Sequence, residues 1–383
     1  VMAGPLAGLR IVEFAGIGPG PFCGMMLADH GAEVIRIDRA SGGRGGSQPI
    51  SNKDVLARGR KSIALNLKSE EGIALARKLC ASADGLIEGF RPGVMERLGL
   101  GPEVLLADNP KLVYGRMTGW GQTGPYAPHA GHDINYIALA GALAHFGRAG
   151  EKPTPPINMV GDFGGGGMML AFGMVSALLN VARGGKGQVI DAAMTDGTAV
   201  LMAMIHGMAN QGIWREDLGA NLLDTGAHFY DTYETADGKF VSIGSIEPQF
   251  YAELRARLGL AEDLEFDVQM NPAQWPALKE KLAAIFKTKT RAEWDALLEH
   301  SDVCYAPVLT MSEAREHPHM AARETFIDVA DGPQPAPAPR YSGTATATPS
   351  PAPMPGDDSD AILSALGLAE ADIAALREAG AVS

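Results

Sequence analysis

Residues 9–38 read LRIVEFAGIGPGPFCGMMLADHGAEVIRID, and this stretch decides the fold. A short apolar strand pattern at 9–14 is followed by a turn rich in glycine and proline and by a helix-like segment at 22–30. A second strand pattern then occupies 31–38. A strand, a helix and a second strand in this order form a βαβ unit, which predicts an α/β, Rossmann-like large domain with a parallel sheet.

The glycines of this turn, at 16–20, imitate a dinucleotide-binding fingerprint. They follow a strand, and Asp38 comes about 20 residues later, as in that motif. The spacing is G-x-G-x-G rather than G-x-G-x-x-G, however, and Pro19 and Pro21 remove two backbone donors that should face a pyrophosphate. A nicotinamide oxidoreductase is therefore kept only as an alternative, which a failure to bind NAD would dismiss.

The first half of the chain continues the alternation of strands and helices. The turn at 90–93, Phe-Arg-Pro-Gly, follows the carboxyl end of a predicted strand, where open α/β sheets bind ligands. The further strands are predicted at 62–67, 84–88, 113–117 and 188–192, and the helices at 70–81, 134–146, 168–183 and 198–211.

The second half of the chain has a different character. Asp237-Gly238 joins two alternating apolar segments, which predicts a β-hairpin and, with the helices after it, a smaller α+β domain. Residues 333–355 contain eight prolines and are expected to form an extended strap without regular structure. The hairpin strands are predicted at 229–234 and 240–244, and the helices at 249–258, 275–286, 291–300 and 362–376, the last capped by Asp358, Ser359 or Asp360.

These patterns predict four parts of the chain. A large domain at 1–195 is followed by a helical linker at 196–224 and a small domain at 225–325. The strap and the C-terminal helix, at 326–383, are expected to pack back on the large domain.

Composition limits the possible functions. The chain has 383 residues, of which 46% are hydrophobic and 20% charged, as expected for a globular enzyme. A net charge of −13 disfavours a nucleic-acid partner. The longest apolar run, 168–182, is shorter than the roughly 20 residues of a membrane span, and neither a signal peptide nor a membrane partner is expected. The widely spaced Cys23, Cys80 and Cys304 argue against disulfides and zinc and for a reducing, cytoplasmic location.

One region departs from the acidic average. Residues 36–97 contain 12 Lys and Arg against 7 Asp and Glu, a local excess of +5 in an acidic protein. A solvated, salt-bridged surface and a binding site for a small polyanion both give such a pattern, and the sequence leaves both open at this point.

Two polar motifs stand out as candidates for chemistry. His132 and Asp133 lie in the string GHDINY at 131–136, and Asp162 lies in GDFGGGG at 161–167, directly before an apolar segment. The second motif predicts a tight glycine turn that opens a buried helix, whose N-terminus would bind an anion. One base on each side of an anion site suits proton abstraction next to a carbonyl group.

In these motifs and in several further strings, the sequence resembles the α-methylacyl-CoA racemases. They are a branch of the class III CoA-transferase family, also called the CaiB/BaiF or formyl-CoA transferase family. The resemblance covers nearly the whole chain, and the strings HDINY and IEPQFY are specific to the racemase branch. It is carried by residues 5–13, 31–39, 117–125, 131–136, 161–166, 185–192 and 246–251.

The resemblance implies an interlocked homodimer whose active site forms where the large domain of one subunit meets the small domain of the other. It implies racemisation of 2-methylacyl-CoA thioesters through an enolate, with His132 and Asp162 as the two acid/bases. The backbone N–H of Asp162 would help to hold the thioester oxygen. Glu247 would lie near the histidine and raise its basicity, and Asp133 would do likewise or only hold the backbone. No metal and no cofactor are expected, because CoA is part of the substrate.

The resemblance also implies a CoA-binding surface, in which arginines meet the phosphates and the backbone of 64–67 meets the adenine. This agrees with the local positive charge. The implied residues are Arg39, Ala64, Leu65, Asn66, Leu67, Lys68, Phe90, Arg91, Arg97, Gly131, Asn135 and Tyr136.

One departure from the family pattern concerns the small domain. Where the family usually has Gly-Gly-Ala-Pro-Phe-Tyr, this chain has Thr-Gly-Ala-His-Phe-Tyr at 225–230. His228 is therefore expected near the small-domain face of the site, with an effect on acyl preference.

Two further alternatives remain. In a class III CoA-transferase the carboxylate of Asp162 would attack the thioester and form an acyl anhydride, whereas His132 and Glu247 favour the racemase. A CoA-binding protein without catalysis is the other alternative, which the presence of both His132 and Asp162 opposes.

Overall fold

The computed structural model describes residues 3–40 and 50–383, and the chain divides into two compact units. The first unit comprises Val1–Ala140, Ile157–Leu201 and Ala322–Ser383. The second comprises Gly141–Pro156 and Met202–Ala321. Residues 141–156, expected in the large domain, thus cluster with the second unit. Arg44, one of the 12 cations of the positive region, lies outside the described residues.

A six-stranded parallel sheet, in the order β3-β2-β1-β4-β5-β6, forms the centre of the first unit. All six predicted strands are confirmed, with ends that shift by at most two residues. Ile11 packs on one face of the sheet, and Val12 and Phe14 pack on the other, so both faces are buried. The strands are β1 Arg10–Phe14, β2 Glu33–Arg39, β3 Arg60–Leu65, β4 Gly85–Glu88, β5 Val113–Thr118 and β6 Gln188–Ala193.

Helices cover both faces of this sheet, as the βαβ pattern predicts. The predicted helices at 134–146 and 198–211 are each shorter than expected, because a short α-helix ends early and a second element follows. The helices of the first half are α1 Pro19–Asp29, α2 Glu70–Ala81, α3 Val94–Arg97, α4 Pro102–Asp108, α5 Asp133–Leu139, α6 Met168–Ala182, α7 Met194–Leu201 and α8 Ala203–Asn210. Short 3₁₀ turns lie at Val55–Ala57 and Leu143–His145.

The predicted glycine turn before α6 is wrong: Met159–Gly167 is a π-helix that continues directly into α6. Asp162 therefore lies inside a helix rather than at its entrance. The glycines permit close packing instead. A Cβ atom on Gly167 would lie 2.7 Å from the backbone oxygen of Pro19, and one on Gly197 would lie 1.7 Å from the oxygen of Gly165. The glycine run thus lets α1 and α7 pack directly on the π-helix backbone.

The π-helix and α6 together form one helix of 24 residues, Met159–Ala182. Its length and composition would allow it to cross a membrane, and less than half of its most apolar window is buried. The apolar helix is thus longer than the segment 168–182 indicated, so the prediction that it is too short for a membrane span is wrong. Core helices of soluble proteins meet the same criterion, so the helix alone indicates no membrane.

The edge of the sheet at β3 is covered by the C-terminal segment. Asn66 N donates to Ala381 O at 2.9 Å, and Ser383 N donates to Ala64 O at 3.1 Å. Leu65 and Val382 form an antiparallel bridge between these bonds. This short pairing satisfies backbone groups that an open edge strand would leave free.

The segment before the C-terminus contains more regular structure than its prolines indicate. Residues 332–335, at the start of the predicted strap, form a strand of a two-stranded hairpin, so the prediction of no regular structure is wrong there. The predicted helix at 362–376 is two helices, separated by Gly367 with φ 87°. The elements are β10 Phe326–Val329, β11 Gly332–Pro335, α14 Ser359–Ala365 and α15 Glu370–Glu378.

The second unit contains a three-stranded antiparallel sheet, in the order β7-β8-β9, packed on helices. The predicted hairpin is confirmed, and Gly238 takes the left-handed conformation (φ 72°) that its turn requires. The third strand was not predicted, because three residues are too few for a periodic pattern. The elements are β7 Tyr230–Glu234, β8 Phe240–Gly244, α9 Pro248–Arg257, a 3₁₀ turn Leu264–Asp267, α10 Trp275–Phe286, α11 Arg291–Leu298, β9 Tyr305–Pro307, α12 Met311–Glu316 and, across the unit boundary, α13 Pro318–Ala322.

His228 lies in the core of the second unit, not at a face that could meet a substrate. It is fully buried, and its Nε2 and the hydroxyl of Tyr251 are 2.8 Å apart. Because that hydroxyl donates to Phe266 O at 3.0 Å, His228 Nε2–H must be the donor to Tyr251. The expected effect of His228 on acyl preference therefore has no contact to support it.

We expect His228 to make the stability of the protein depend on pH. Burial, and secondarily Lys279, lowers the pKa of His228 from 6.5 to about 4. The unfolded state then binds more protons between these values, so stability is lost as pH falls from about 6.5 towards about 4, by up to roughly 3 kcal/mol. Urea unfolding at a series of pH values measures this loss.

The matched variants are His228→Gln and His319→Gln. Between pH 7 and pH 4 the first should lose less stability than the wild type, whereas the second, at an exposed histidine, should follow the wild type. Equal pH dependence in all three proteins would contradict the expectation.

Candidate active site

The carboxyl ends of all six parallel strands meet at one edge of the sheet, and Asp162 lies beside the loop that follows β1. A Cβ atom on Gly18 would lie 3.5 Å from Asp162 Oδ2. With φ 69° and ψ −116°, Gly18 also has a backbone conformation that other residues rarely adopt. Because β1 and β4 are neighbours at the point where the strand order reverses, this loop marks the expected ligand crevice of a doubly wound sheet.

Buried ion pairs hold this loop against the sheet. Arg60 on β3 pairs with Glu13 on β1 at 2.8 Å, and both side chains are almost inaccessible. Arg60 also donates to the backbone oxygen of Pro21 at 2.5 Å. The start of α1, next to Asp162, is thus tied to two strands.

Asp162 has an environment that suits a proton donor and acceptor. The side chain is half-buried, and burial is the largest cause that raises its pKa. The charge of Asp133 raises this pKa further, whereas a hydrogen bond from Asn158 Nδ2 to Asp162 Oδ2, at 2.9 Å, and the charge of His132 lower it. The charges of Asp133 and His132 thus act on the pKa of Asp162 in opposite directions.

Asp133 holds the backbone of the π-helix. Its buried Oδ2 accepts hydrogen bonds from Gly161 N and Asp162 N, each at 2.8 Å. A Cβ atom on Gly161 would lie 2.6 Å from this oxygen, which explains the glycine. Of the two roles that the sequence left open, holding the backbone is therefore the one the contacts support. The Asp162 amide, expected to face a thioester oxygen, already has Asp133 as its acceptor.

Asn158 is a site residue that the sequence analysis missed. It directly precedes the π-helix, four residues before Asp162, and from there its side chain reaches the Asp162 carboxylate. The helical spacing was hidden because residues 161–167 indicated a turn. Only the continuation of the helix back to Met159 makes the spacing meaningful.

His132 is exposed at the N-terminal end of α5. Its backbone N–H donates to Asn135 Oδ1 at 3.0 Å, and its carbonyl oxygen accepts from Asn135 N at 2.8 Å. The amide oxygen of Asn135, expected to contact CoA, thus serves the turn that carries His132.

Glu247 is exposed in the second unit, just before α9. Its backbone oxygen accepts from Phe250 N and Tyr251 N, both at 3.0 Å. Its charge contributes to the raised pKa of Cys304, after burial. The expected pairing of Glu247 with His132 stays a prediction.

Four of the cations expected to bind CoA are exposed and free of ion pairs within the described residues. They contrast with Arg36, Arg58 and Arg60 of the same region, which are buried and paired with Asp38, Asp29 and Glu13. The local positive charge is thus only partly a salt-bridged surface. The free cations are Arg39, Lys68, Arg91 and Arg97.

The other residues expected to contact CoA are mostly buried or already hydrogen-bonded within the protein. The C-terminal segment takes up the Ala64 oxygen and the Asn66 amide, and Ser359 Oγ accepts from Ala64 N at 3.2 Å. The remaining residues of this group lie as follows: Leu65 is buried, Leu67 and Phe90 are partly buried against the core, and Gly131 and Tyr136 are hydrogen-bonded to each other.

The part of the chain that the structure describes contains no candidate metal site. Across residues 3–40 and 50–383, no three or more His, Cys, Asp or Glu side chains are placed to share a metal ion. Cys23 and Cys80 are buried free thiols, and Cys304 is an exposed free thiol.

Comparisons with known proteins identify the family and the fold of the chain. The model of CoA-transferase family III matches residues 6–359. The chain is 51% identical to the α-methylacyl-CoA racemase of Mus musculus over 86% of this chain and 84% of that protein, and 48% identical to the Homo sapiens enzyme of the same name over 86% of each. A CAIB/BAIF family protein from Brucella suis, with a known crystal structure, superposes with a TM-score of 0.83 at 30% identity, covering 95% of this chain and 100% of that one.

We expect opposite shifts in the pKa of Asp162 when its two polar neighbours are changed. Asp133→Asn removes a negative charge and should lower this pKa, whereas Asn158→Ala removes a hydrogen bond to the carboxylate and should raise it. The ¹³C resonance of the carboxyl group, followed through a pH titration, reports the value. Asp196→Asn, at an exposed carboxylate of α7, is the control and should leave it unchanged. Shifts of the same sign would contradict this account of the site.

Proposed function

The chain belongs to CoA-transferase family III, and we propose that it is a 2-methylacyl-CoA racemase, an enzyme that inverts the α-carbon of the thioester by 1,1-proton transfer. One observation carries the proposal: Asp133, the neighbour of His132 in the chain, accepts a hydrogen bond from Asp162 N at 2.8 Å, in a chain that shares about half of its aligned residues with two racemases. Fatty-acid metabolism would supply such substrates.

The chemistry follows from this pair. One residue removes the α-proton from one face of the thioester, and the other returns a proton to the opposite face of the enolate. One base must begin deprotonated and the other protonated, and the roles exchange in the reverse direction. The active enzyme therefore holds one proton across His132 and Asp162, which gives a bell-shaped pH profile. In this proposal Glu247 orients His132, and no metal or cofactor takes part.

The free cations support the choice of a CoA thioester as substrate. Arg39, Lys68, Arg91 and Arg97 have no ion pair among the described residues, so they can meet the phosphates of CoA. Arg39 ends β2, and Lys68 and Arg91 follow β3 and β4, which places all three near the carboxyl edge of the sheet. Asp162 lies beside the loop after β1, at the same edge.

A class III CoA-transferase is the alternative. Relatives with transferase names exist in the family, such as the succinyl-CoA–D-citramalate CoA-transferase of Chloroflexus aurantiacus, 34% identical over 85% of this chain and 84% of that protein. Asp162 would then attack the thioester and form an anhydride. Burial and the charge of Asp133 raise the pKa of Asp162, which favours a proton carrier over an ionised nucleophile.

We also propose that the protein is a homodimer, interlocked as the resemblance implies. The outward face of α6 carries a stripe of exposed apolar side chains whose spacing follows the helix, and Phe172 is 73% exposed. An exposed apolar stripe of this kind indicates a surface that binds another molecule. The net charge of −13 disfavours an anionic membrane as that partner. A second copy of the chain is the occupant we propose. The stripe consists of Met168, Phe172, Val175 and Leu179.

The proposed reaction is tested with one enantiomer of a 2-methylacyl-CoA in D₂O, without an acceptor acid, while NMR follows the α-proton. The expected result is exchange with inversion, and the rate of inversion should fall by at least about 100-fold in His132→Ala and in Asp162→Ala, because inversion needs both residues. Asp196→Asn is the control and should racemise like the wild type. If no exchange occurs, but CoA is transferred once a free acid is added, the transferase is correct and His132 has no role as a base.

The proposed dimer is tested by sedimentation velocity. The wild type should sediment with twice the mass of one chain, and Phe172→Asp should shift it towards the monomer, because a charge in an apolar interface is unfavourable. Leu264→Asp, at a similarly exposed leucine of the second unit, should remain dimeric. A monomeric wild type would exclude the dimer.

A further inference from the structure

The backbone just before His132 is enclosed by two aromatic rings. A Cβ atom on Gly131 would lie 2.8 Å from Trp120 Cζ2 and 2.8 Å from Tyr136 Cε1. The rings of Trp120 and Tyr136 meet edge to face, with centroids 4.7 Å apart and planes at 85°. Only a glycine fits between them, so the rings fix the path of the chain into His132.

Tyr136 also holds this turn through its hydroxyl group. The side chain is buried, and the hydroxyl donates to Gly131 O at 2.5 Å. Burial, above all, raises the pKa of Tyr136, so the phenol remains a donor over the range in which enzymes work. The hydrogen bond closes a loop around His132, because Tyr136 lies on the first turn of α5, beyond the histidine.

The loop that carries Trp120 is itself fastened to the scaffold. Thr195 N, on α7, donates to Gly119 O at 3.1 Å, and Gly121 N donates to Thr118 Oγ1 at 2.9 Å. A Cβ atom on Gly119 would lie 2.0 Å from ring atoms of Tyr136, so the loop approaches the ring as closely as a backbone can. Strand β5, this loop and the turn before α5 thus form one packed unit.

Within the first unit, the backbone is the main support of His132. Its side chain is exposed, and its N–H and carbonyl oxygen are both hydrogen-bonded to Asn135, so the turn decides where the ring lies. Asp162, in contrast, is held by Asp133 at its amide and by Asn158 at its carboxyl group. The two proposed bases therefore depend on different supports.

We propose that Trp120 and Tyr136 are positioning residues for His132, which fix the turn at Gly131 so that the imidazole reaches the α-carbon. This inference rests on the proposed racemase function. It assigns Tyr136 a role inside the protein instead of the contact with CoA that the resemblance implies. A displacement of a catalytic group by about 1 Å can lower the rate by about 100-fold, so even a small movement of the turn at Gly131 should slow the reaction.

The inference predicts an unequal effect on the two enantiomers. The enantiomer whose proton faces His132 should exchange more slowly when the turn loosens. The enantiomer whose proton faces Asp162 should still lose its proton to Asp162 and exchange with solvent, but inversion should slow because His132 no longer delivers the second proton. The ratio of exchange to inversion should therefore rise for that enantiomer alone.

The test uses Tyr136→Phe, which removes only the hydroxyl group, with each enantiomer of a 2-methylacyl-CoA in D₂O. His132→Ala first identifies which enantiomer faces the histidine. In Tyr136→Phe, exchange of that enantiomer should fall about 10-fold, and the exchange-to-inversion ratio of the other should rise by a similar factor. Trp120→Phe, which weakens the edge contact, should likewise lower the exchange of the first enantiomer and raise the exchange-to-inversion ratio of the other.

Tyr126→Phe is the matched control. Tyr126 also packs on Trp120, with centroids 4.7 Å apart, but it is half exposed and its hydroxyl has no partner among the described residues. It should behave as the wild type. Equal effects of Tyr136→Phe on both enantiomers, or none beyond those of Tyr126→Phe, would overturn the inference. A wild type that exchanges neither enantiomer would instead overturn the proposed function, and Trp120→Phe decides the inference if Tyr136→Phe does not fold.

Discussion

The pair of hydrogen bonds from Gly161 N and Asp162 N to Asp133 Oδ2 is the interaction on which the site depends. Asp133 is the neighbour of His132 in the chain, and one of the two amides belongs to Asp162 itself. The contact therefore joins α5 to the π-helix and sets the separation of the two proposed acid/bases.

Burial of the Asp133 carboxylate costs free energy, and its charge also affects the pKa of Asp162. Hydrogen bonds to a charged group contribute about 1.5–3 kcal/mol each, which offsets part of the cost of burying the carboxylate. Among the described residues, however, the other oxygen of Asp133 is buried without a partner. The uncompensated charge raises the pKa of Asp162, as burial does, while Asn158 and His132 act against the shift. A structural anchor is thus also an electrostatic control on the reaction.

The glycine run at 164–167 shows how backbone packing supports the same arrangement. These residues have no side chains, so α1 and α7 approach the π-helix at backbone distance. The loop after β1 is consequently held beside Asp162, with Gly18 in a conformation that few residues other than glycine adopt. The wide π-helix costs stability relative to an α-helix, and such segments occur frequently at functional sites. Here the close packing of α1 and α7 on the π-helix stabilises the π-helix.

The sequence by itself determined the parallel sheet, the hairpin at Asp237-Gly238 and the candidacy of His132 and Asp162. These features have local signals: strand periodicity, turn residues, and strings that resemble a family. The tertiary structure alone decided the π-helix, the acceptor of the Asp162 amide, the role of Asn158 and the use of the Ala64–Asn66 backbone by the C-terminal segment. Asp133 and Asp162 are 29 residues apart, and Asn66 and Gly380, whose side chain and carbonyl also bond, are 314 apart. Such partners are chosen by the packing of whole elements, because a buried polar group must find its partner wherever the fold places one.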